Sequence, residues 1–96
     1  MVRHIVLFKF YENTSSGVKD KIFSALQALG PQVSVVRSWS VGWNVGSSAS
    51  AYDIAEVGDF ENLEDVNIFR AHPAHIALRE EVRKVANWVV LDYELN

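Results

Sequence analysis

Four stretches of the chain are rich in β-branched and aromatic residues or alternate between apolar and polar residues, and both features are typical of β-strands. The first stretch covers residues 2–11, and because its centre is apolar on both faces, both faces are expected to be covered. The second and third cover residues 33–45 and 52–60, with a Gly- and Ser-rich hairpin loop between them. The fourth covers residues 88–95. The pattern therefore predicts four β-strands.

Two stretches have helical spacing instead. An apolar stripe runs through residues 18–29, after a capping cluster at residues 13–16. A second stripe runs through residues 61–69, meets Pro73 and restarts. Proline fixes φ and lacks an N–H, so it favours the first turn of a helix. We therefore predict that a new helix begins here and holds His75 in its first turn.

The order strand, helix, strand, strand, helix, strand predicts an α+β fold, the ferredoxin-like split βαβ sandwich. A length of 96 residues suits a single domain over residues 1–96. Two helices cover one face of a four-stranded sheet, and a monomer rarely leaves the other face bare if it is apolar. The sequence thus predicts a homodimer in which two sheets pack face to face as a dimeric α/β barrel, with a cavity between the chains.

The predicted dimer interface is the sheet face that carries Val6 and Phe8 on the first strand and Trp39, Val41 and Trp43 on the second. Dimer core is the favoured interpretation of the two tryptophans, and ligand stacking is the alternative.

Arg37 is predicted to share that face. A cation on an otherwise apolar face needs an anion. The candidates are Glu56, Asp92 and Glu94 on neighbouring strands, or an acidic ligand.

Composition excludes several classes of function. The net charge is -3 and there is no basic run, so nucleic-acid binding is disfavoured. Without cysteine the chain forms no disulfide and no thiolate metal site. No apolar run approaches the ~18 residues that would span a bilayer, so no membrane partner is expected and a cytoplasmic location is predicted.

Histidines offer the clearest chemistry. His72 and His75 could share a metal, but the proline between them disrupts the geometry and no third ligand stands at suitable spacing. We expect no metal and no cofactor. His75 could instead serve as a general base, since histidine exchanges protons near neutral pH, or simply pack in the helix junction.

Three segments of the chain resemble the stress-responsive A/B barrel family, also called the Dabb domain. They are HIVLFKF at residues 4–10, HPAH at residues 72–75 and LDYE at residues 91–94, in this order along nearly the whole length. The resemblance implies a homodimeric α+β barrel and adds little about substrate.

One branch of that family, the plant polyketide cyclases, is similar in the HPAH segment. The similarity implies that His75 is the catalytic base and that His4, on the first strand, lies in the same pocket. The branch has a tyrosine where this chain has Phe69, so the hydroxyl that would orient the base is missing.

Two classes of function follow from these residues. The first is a barrel that binds a small hydrophobic or aromatic ligand without catalysis, and Phe69 favours it. The second is a cyclase- or lyase-like enzyme that uses His75 as base. In either case His4, His75, Phe69, His72, Val6 and Phe8 are the predicted pocket residues, with His72 expected mainly to shape the helix junction.

Overall fold

The computed structural model describes residues 1–96 and contains four strands and three helices. Their order is β1 (Val2–Phe10), α1 (Ser16–Leu29), β2 (Ser38–Trp43), β3 (Ile54–Phe60), α2 (Leu63–Ala71), α3 (Pro73–Val82) and β4 (Ala86–Glu94), with a short 3₁₀ turn at Gly30–Gln32 after α1. The ferredoxin-like α+β fold is confirmed. None of the helices is long and apolar enough to cross a membrane.

The four strands form one antiparallel sheet in the order β2-β3-β1-β4, so β1 lies in the centre. Register places residues of three strands in rows across the sheet. His4 pairs with Asp92 on β4, and Val6 pairs with Glu56 on β3 and with Val90 on β4. Because residues in one row share a face, two acidic side chains are brought beside the inward-facing residues of β1.

Each helix begins with a side-chain cap. Ser15 accepts from the N–H of Val18 at the start of α1, and Asn62 accepts from the N–H of Asp65 at the start of α2. The second helical stretch is broken as predicted, since α2 ends at Ala71 and α3 begins at Pro73.

The three helices cover one face of the sheet. On β1, the even-numbered residues from Val2 to Phe10 are all buried beneath them. Two apolar clusters fill the space: one around Val6, Phe8, Leu26 and Ile54, the other around Phe60 and Phe69. This helix-covered side is called the inner face below.

The second strand is shorter than the predicted stretch of residues 33–45. The chain leaves α1 through the 3₁₀ turn, and Val33 is buried in the core before β2 begins. The indole of Trp39 lies against Gly30, where an added Cβ would come within 2.2 Å of the ring. The apolar residues before Ser38 therefore belong to a turn that packs on the core. Alternation of apolar residues alone does not distinguish such a turn from a strand.

The prediction that Val6, Phe8, Trp39, Val41 and Trp43 form the dimer interface is wrong, because all five lie on the inner face. Trp39 donates its Nε1–H to the carbonyl of Leu26 on α1 at 3.0 Å, and Trp43 stacks on Phe23 of α1 with 4.8 Å between ring centroids. Val6 and Phe8 belong to the buried core, and Val41 packs against it. The chain's own helices already occupy the space that a partner sheet would need.

Arg37 does not lie on a buried face either. It precedes β2, is exposed, and pairs with Glu61 at 3.5 Å. An exposed pair of this kind contributes little to stability.

The opposite side of the sheet has no helix on it. Register places Ile5 beside Val57 and Leu91, and Leu7 beside Val89, and we call these five residues the outer face. Val89 and Leu91 are about half exposed. Both faces of β1 are apolar in sequence. The pattern therefore shows that both faces must be covered, but it does not show which of the two the helices cover.

Candidate functional site

A cavity of about 150 Å³ lies within the chain, between the inner face of the sheet and the helices. We call it the inner cavity. Most of its lining is apolar, and titratable or cationic side chains interrupt it at several points. The lining residues are His4, Val6, Phe8, Leu26, Leu29, Glu56, Arg70, His75, Leu78, Arg79, Val82, Trp88 and Val90. His4 and His75, which are predicted to lie in one pocket, both line this cavity within a single chain, and a cavity between two chains stays a prediction.

His4 is buried in the wall of this cavity. Its ring meets Phe60 and Phe69 edge-on, with centroid distances of 6.1 and 5.9 Å. Its Nδ1 lies 2.5 Å from a carboxylate oxygen of Asp92, the residue opposite it in the sheet. With Asp92 accepting that hydrogen bond, Nδ1 carries the proton and the ring is held in one orientation.

Glu56 is the second buried polar residue, 2% exposed on β3. Its carboxylate oxygen is 4.0 Å from Nε2 of His4, which is too long for a hydrogen bond. Burial disfavours the ionised form and raises the pKa of Glu56 to about 8. The side chain is therefore mostly protonated at neutral pH and can donate a hydrogen bond.

His75 is the third residue of α3, and its ring meets Phe69 edge-on at 4.8 Å. Its Nδ1 is buried and has no hydrogen-bond partner in the protein. Burial, together with the nearby positive charges of Arg79 and Arg70, lowers the pKa of His75 to about 4. The imidazole of His75 is therefore neutral at pH 7.

Two predicted pocket residues do not line the cavity. His72 caps α3, since its Nδ1 accepts from the N–H of Ala74 at 3.1 Å. This is the junction role expected of it, and it removes His72 from the pocket. Phe69 is fully buried behind the wall, between the rings of His4 and His75. It supports the two histidines and offers no surface to a ligand.

The structure brings His4, His75, Val6 and Phe8 onto one cavity, together with residues that sequence reasoning did not assign to it. Of these, Glu56 carried a usable signal, because it alternates with Ile54 and Gly58 and must point to the same side as them. Arg70 and Arg79 carried no such signal, because a charged residue on a helix is ordinarily expected to face solvent. No three His, Asp or Glu side chains are grouped so that they could hold a metal ion.

The fold and the cavity define the class of protein: it is a ferredoxin-like α+β domain with an internal, partly polar pocket. The chain matches the Stress Responsive A/B Barrel Domain (Dabb) over residues 2–95. It is also 33% identical over 96 residues to an uncharacterized protein of Streptomyces coelicolor, covering 98% of this chain and 99% of that protein. The chain belongs to the Dabb family.

Solved structures agree with this assignment. A dimeric ferredoxin-like protein of unknown function from Bacteroides fragilis superposes with a TM-score of 0.82 at 30% identity, covering 98% of this chain and 95% of that one. A hydroxynitrile lyase from Passiflora edulis superposes with a TM-score of 0.86 at 24% identity, covering 99% and 93%. The second likeness concerns the fold alone.

Replacing Glu56 by Gln tests the raised pKa. The folded wild type retains a proton that the unfolded chain loses above its ordinary pKa of 4.5, so its stability falls as pH rises from there to about 8. Glutamine does not titrate. The free energy of unfolding of Glu56→Gln relative to wild type should increase by roughly 2–4 kcal/mol across this window.

Urea unfolding at fixed protein concentration measures this difference. His75 has the opposite effect, because its lowered pKa makes the free energy of unfolding rise between about pH 4 and 6.5. This contribution is present in both proteins and therefore cancels in the difference between them. Glu12→Gln, in the exposed loop after β1, controls for the loss of one carboxylate. Parallel pH profiles for wild type and Glu56→Gln would show that Glu56 ionises normally.

Proposed function

We propose that the protein binds a small, mostly apolar molecule in the inner cavity and holds its polar group through His75 and Glu56. The observation that carries this proposal is the unpartnered, buried Nδ1 of His75 beside a cavity that also holds a buried carboxyl group. A buried polar atom without a partner is destabilising by about 1–3 kcal/mol, and a bound ligand that supplies the missing hydrogen bond would remove this cost.

The size of the cavity limits the ligand. An apolar cavity of about 150 Å³ accommodates one benzene ring, so the inner cavity suits a single six-membered ring with a small substituent. Val6, Phe8 and Trp88 supply apolar and aromatic walls for such a ring. The protonated carboxyl of Glu56 would donate to a ligand oxygen, and the neutral imidazole of His75 would accept from a ligand hydroxyl.

Blocking the cavity tests this binding. Val90 lines the cavity and is 46% exposed at the edge strand, so Val90→Phe should fill the opening without disrupting the buried core. Binding of benzyl alcohol, followed by NMR shifts of cavity residues, should weaken at least about tenfold because a filled cavity excludes the ring. Val45→Phe, at a fully exposed loop position, should bind as wild type does. Equal affinity in all three proteins would place the ring elsewhere.

We further propose that the protein is a homodimer and that the outer face is its interface. Ile5, Leu7, Val57, Val89 and Leu91 form an apolar surface in the middle of the sheet with no helix over it. The Bacteroides fragilis relative is dimeric, which supports the same arrangement here. Face-to-face packing of two sheets would remove these side chains from water.

A charge on the outer face tests the dimer. Leu91→Asp should shift the sedimenting mass from about twice the 10.8 kDa chain mass toward a single chain, because an unpaired charge is costly in an apolar interface. Ile68→Asp places the same charge at another half-exposed apolar position, on α2, and should remain dimeric. Dissociation of both variants, or of neither, would refute this interface.

A second candidate function is acid–base catalysis on a small molecule, and one observation favours it: the imidazole of His75 is neutral and free to accept a proton. A hydroxynitrile lyase shares the fold, so the fold is compatible with chemistry of this kind. In such a reaction a base takes the hydroxyl proton of a cyanohydrin, the carbon–carbon bond to the nitrile breaks, and cyanide leaves and is protonated.

Mandelonitrile cleavage tests the catalytic alternative, with benzaldehyde release read by absorbance. If the protein is such a lyase, wild type should exceed the uncatalysed rate and His75→Ala should lose at least about a hundredfold in kcat, which is typical of removing a general base. His72→Asn retains a good helix cap outside the cavity and should keep its activity. No turnover by wild type would leave ligand binding as the function.

A further inference from the structure

Two arginines at the inner cavity have no partner in the protein. Arg70, near the end of α2, and Arg79, in α3, both line the cavity and both are exposed, so they lie at its mouth. Neither forms an ion pair or a side-chain hydrogen bond. The other three arginines of the chain each have an acidic partner: Arg3 pairs with Asp59, Arg37 with Glu61 and Arg83 with Glu80.

The charges around the cavity leave these two cations unbalanced. Asp92 accepts from His4. Glu56 is the other acid that lines or adjoins the cavity, and it is mostly protonated. On α3 itself, Glu80 and Glu81 are paired with Arg83 and Lys84. A chain whose net charge is -3 thus presents a locally positive entrance to an apolar pocket.

We propose that the ligand of the inner cavity is an anion, a single-ring compound of the aromatic carboxylate class, whose carboxylate is held at the mouth by Arg70 and Arg79, in addition to any uncharged polar group that His75 and Glu56 bind inside the cavity. This inference rests on the proposed ligand-binding function and names its ligand class. Arginine suits the task because its planar guanidinium matches the geometry of a carboxylate. The ring enters the apolar part of the cavity, and the anion stays at the partly solvated mouth, where its desolvation is small.

Anion binding would also change His75. The positive charges of Arg79 and Arg70 lower the pKa of this residue, so an anion placed beside them offsets that repulsion. A carboxylate ligand therefore raises the affinity of the imidazole for a proton, whereas a neutral ligand of the same shape does not. His75 thus reports whether the bound group is charged.

Benzoate and benzamide provide the test, because they share a ring and nearly the same shape but differ in charge at pH 7. Affinities are measured by NMR titration of wild type, Arg70→Gln, Arg79→Gln and Arg83→Gln. Wild type should bind benzoate more tightly than benzamide. Each of the first two variants should weaken benzoate binding about three- to fivefold, as expected for partly exposed charge pairs, and change benzamide binding less than about twofold. Arg83→Gln, whose side chain does not line the cavity, should bind both as wild type does.

The outcomes separate the ligand class from the proposed function. If both compounds bind with equal affinity and the arginine variants do not discriminate between them, the anion inference is overturned and ligand binding stands. If neither compound causes shifts at cavity residues, ligand binding fails and the anion inference falls with it. Titration of the His75 ring signals gives an independent readout, because saturating benzoate should raise its midpoint and saturating benzamide should not.

Discussion

Burial of the His4 imidazole in the core is the constraint on which the rest of the site depends. The ring packs edge-on against two phenylalanines, where an unpaired polar atom would be destabilising by about 1–3 kcal/mol. Asp92 meets that need because the β1–β4 register places it directly opposite. A slip of one residue would turn Asp92 to the other face and leave His4 without its partner. The same central strand brings Glu56 alongside, so sheet register and pocket chemistry are set together.

The helix break completes the site from the other side. Proline at residue 73 cannot continue α2, and the side chain of His72 supplies the cap that α3 needs. The new helix therefore begins over the sheet, with His75 in its first turn and Phe69 of the preceding helix supporting its ring. One histidine is used for backbone geometry and its neighbour for the cavity, which explains why two histidines three residues apart do not act as a pair.

Local signals in the sequence predicted much of this. The period of apolar residues gave the element order, and Pro73 gave the helix restart with His75 in its first turn. Periodicity carries no information about which face of β1 packs against α1, because both faces of that strand are apolar, so the predicted interface falls on the helix-covered side instead. The sequence does not identify Arg70 and Arg79 as cavity residues for a related reason. What distinguishes them from the other arginines is the lack of an acidic partner, and this is a property of the three-dimensional arrangement.

The proposed functional site is a mostly apolar cavity inside the chain, into which His75 and Glu56 bring polar groups. A crystal structure of the protein grown with benzoate tests it most directly. We expect the ring to lie against Val6, Phe8 and Trp88 with its carboxylate toward Arg70 and Arg79, in a dimer packed through the outer face. A benzoate lodged between two chains, with the cavity beside His75 closed, would contradict it.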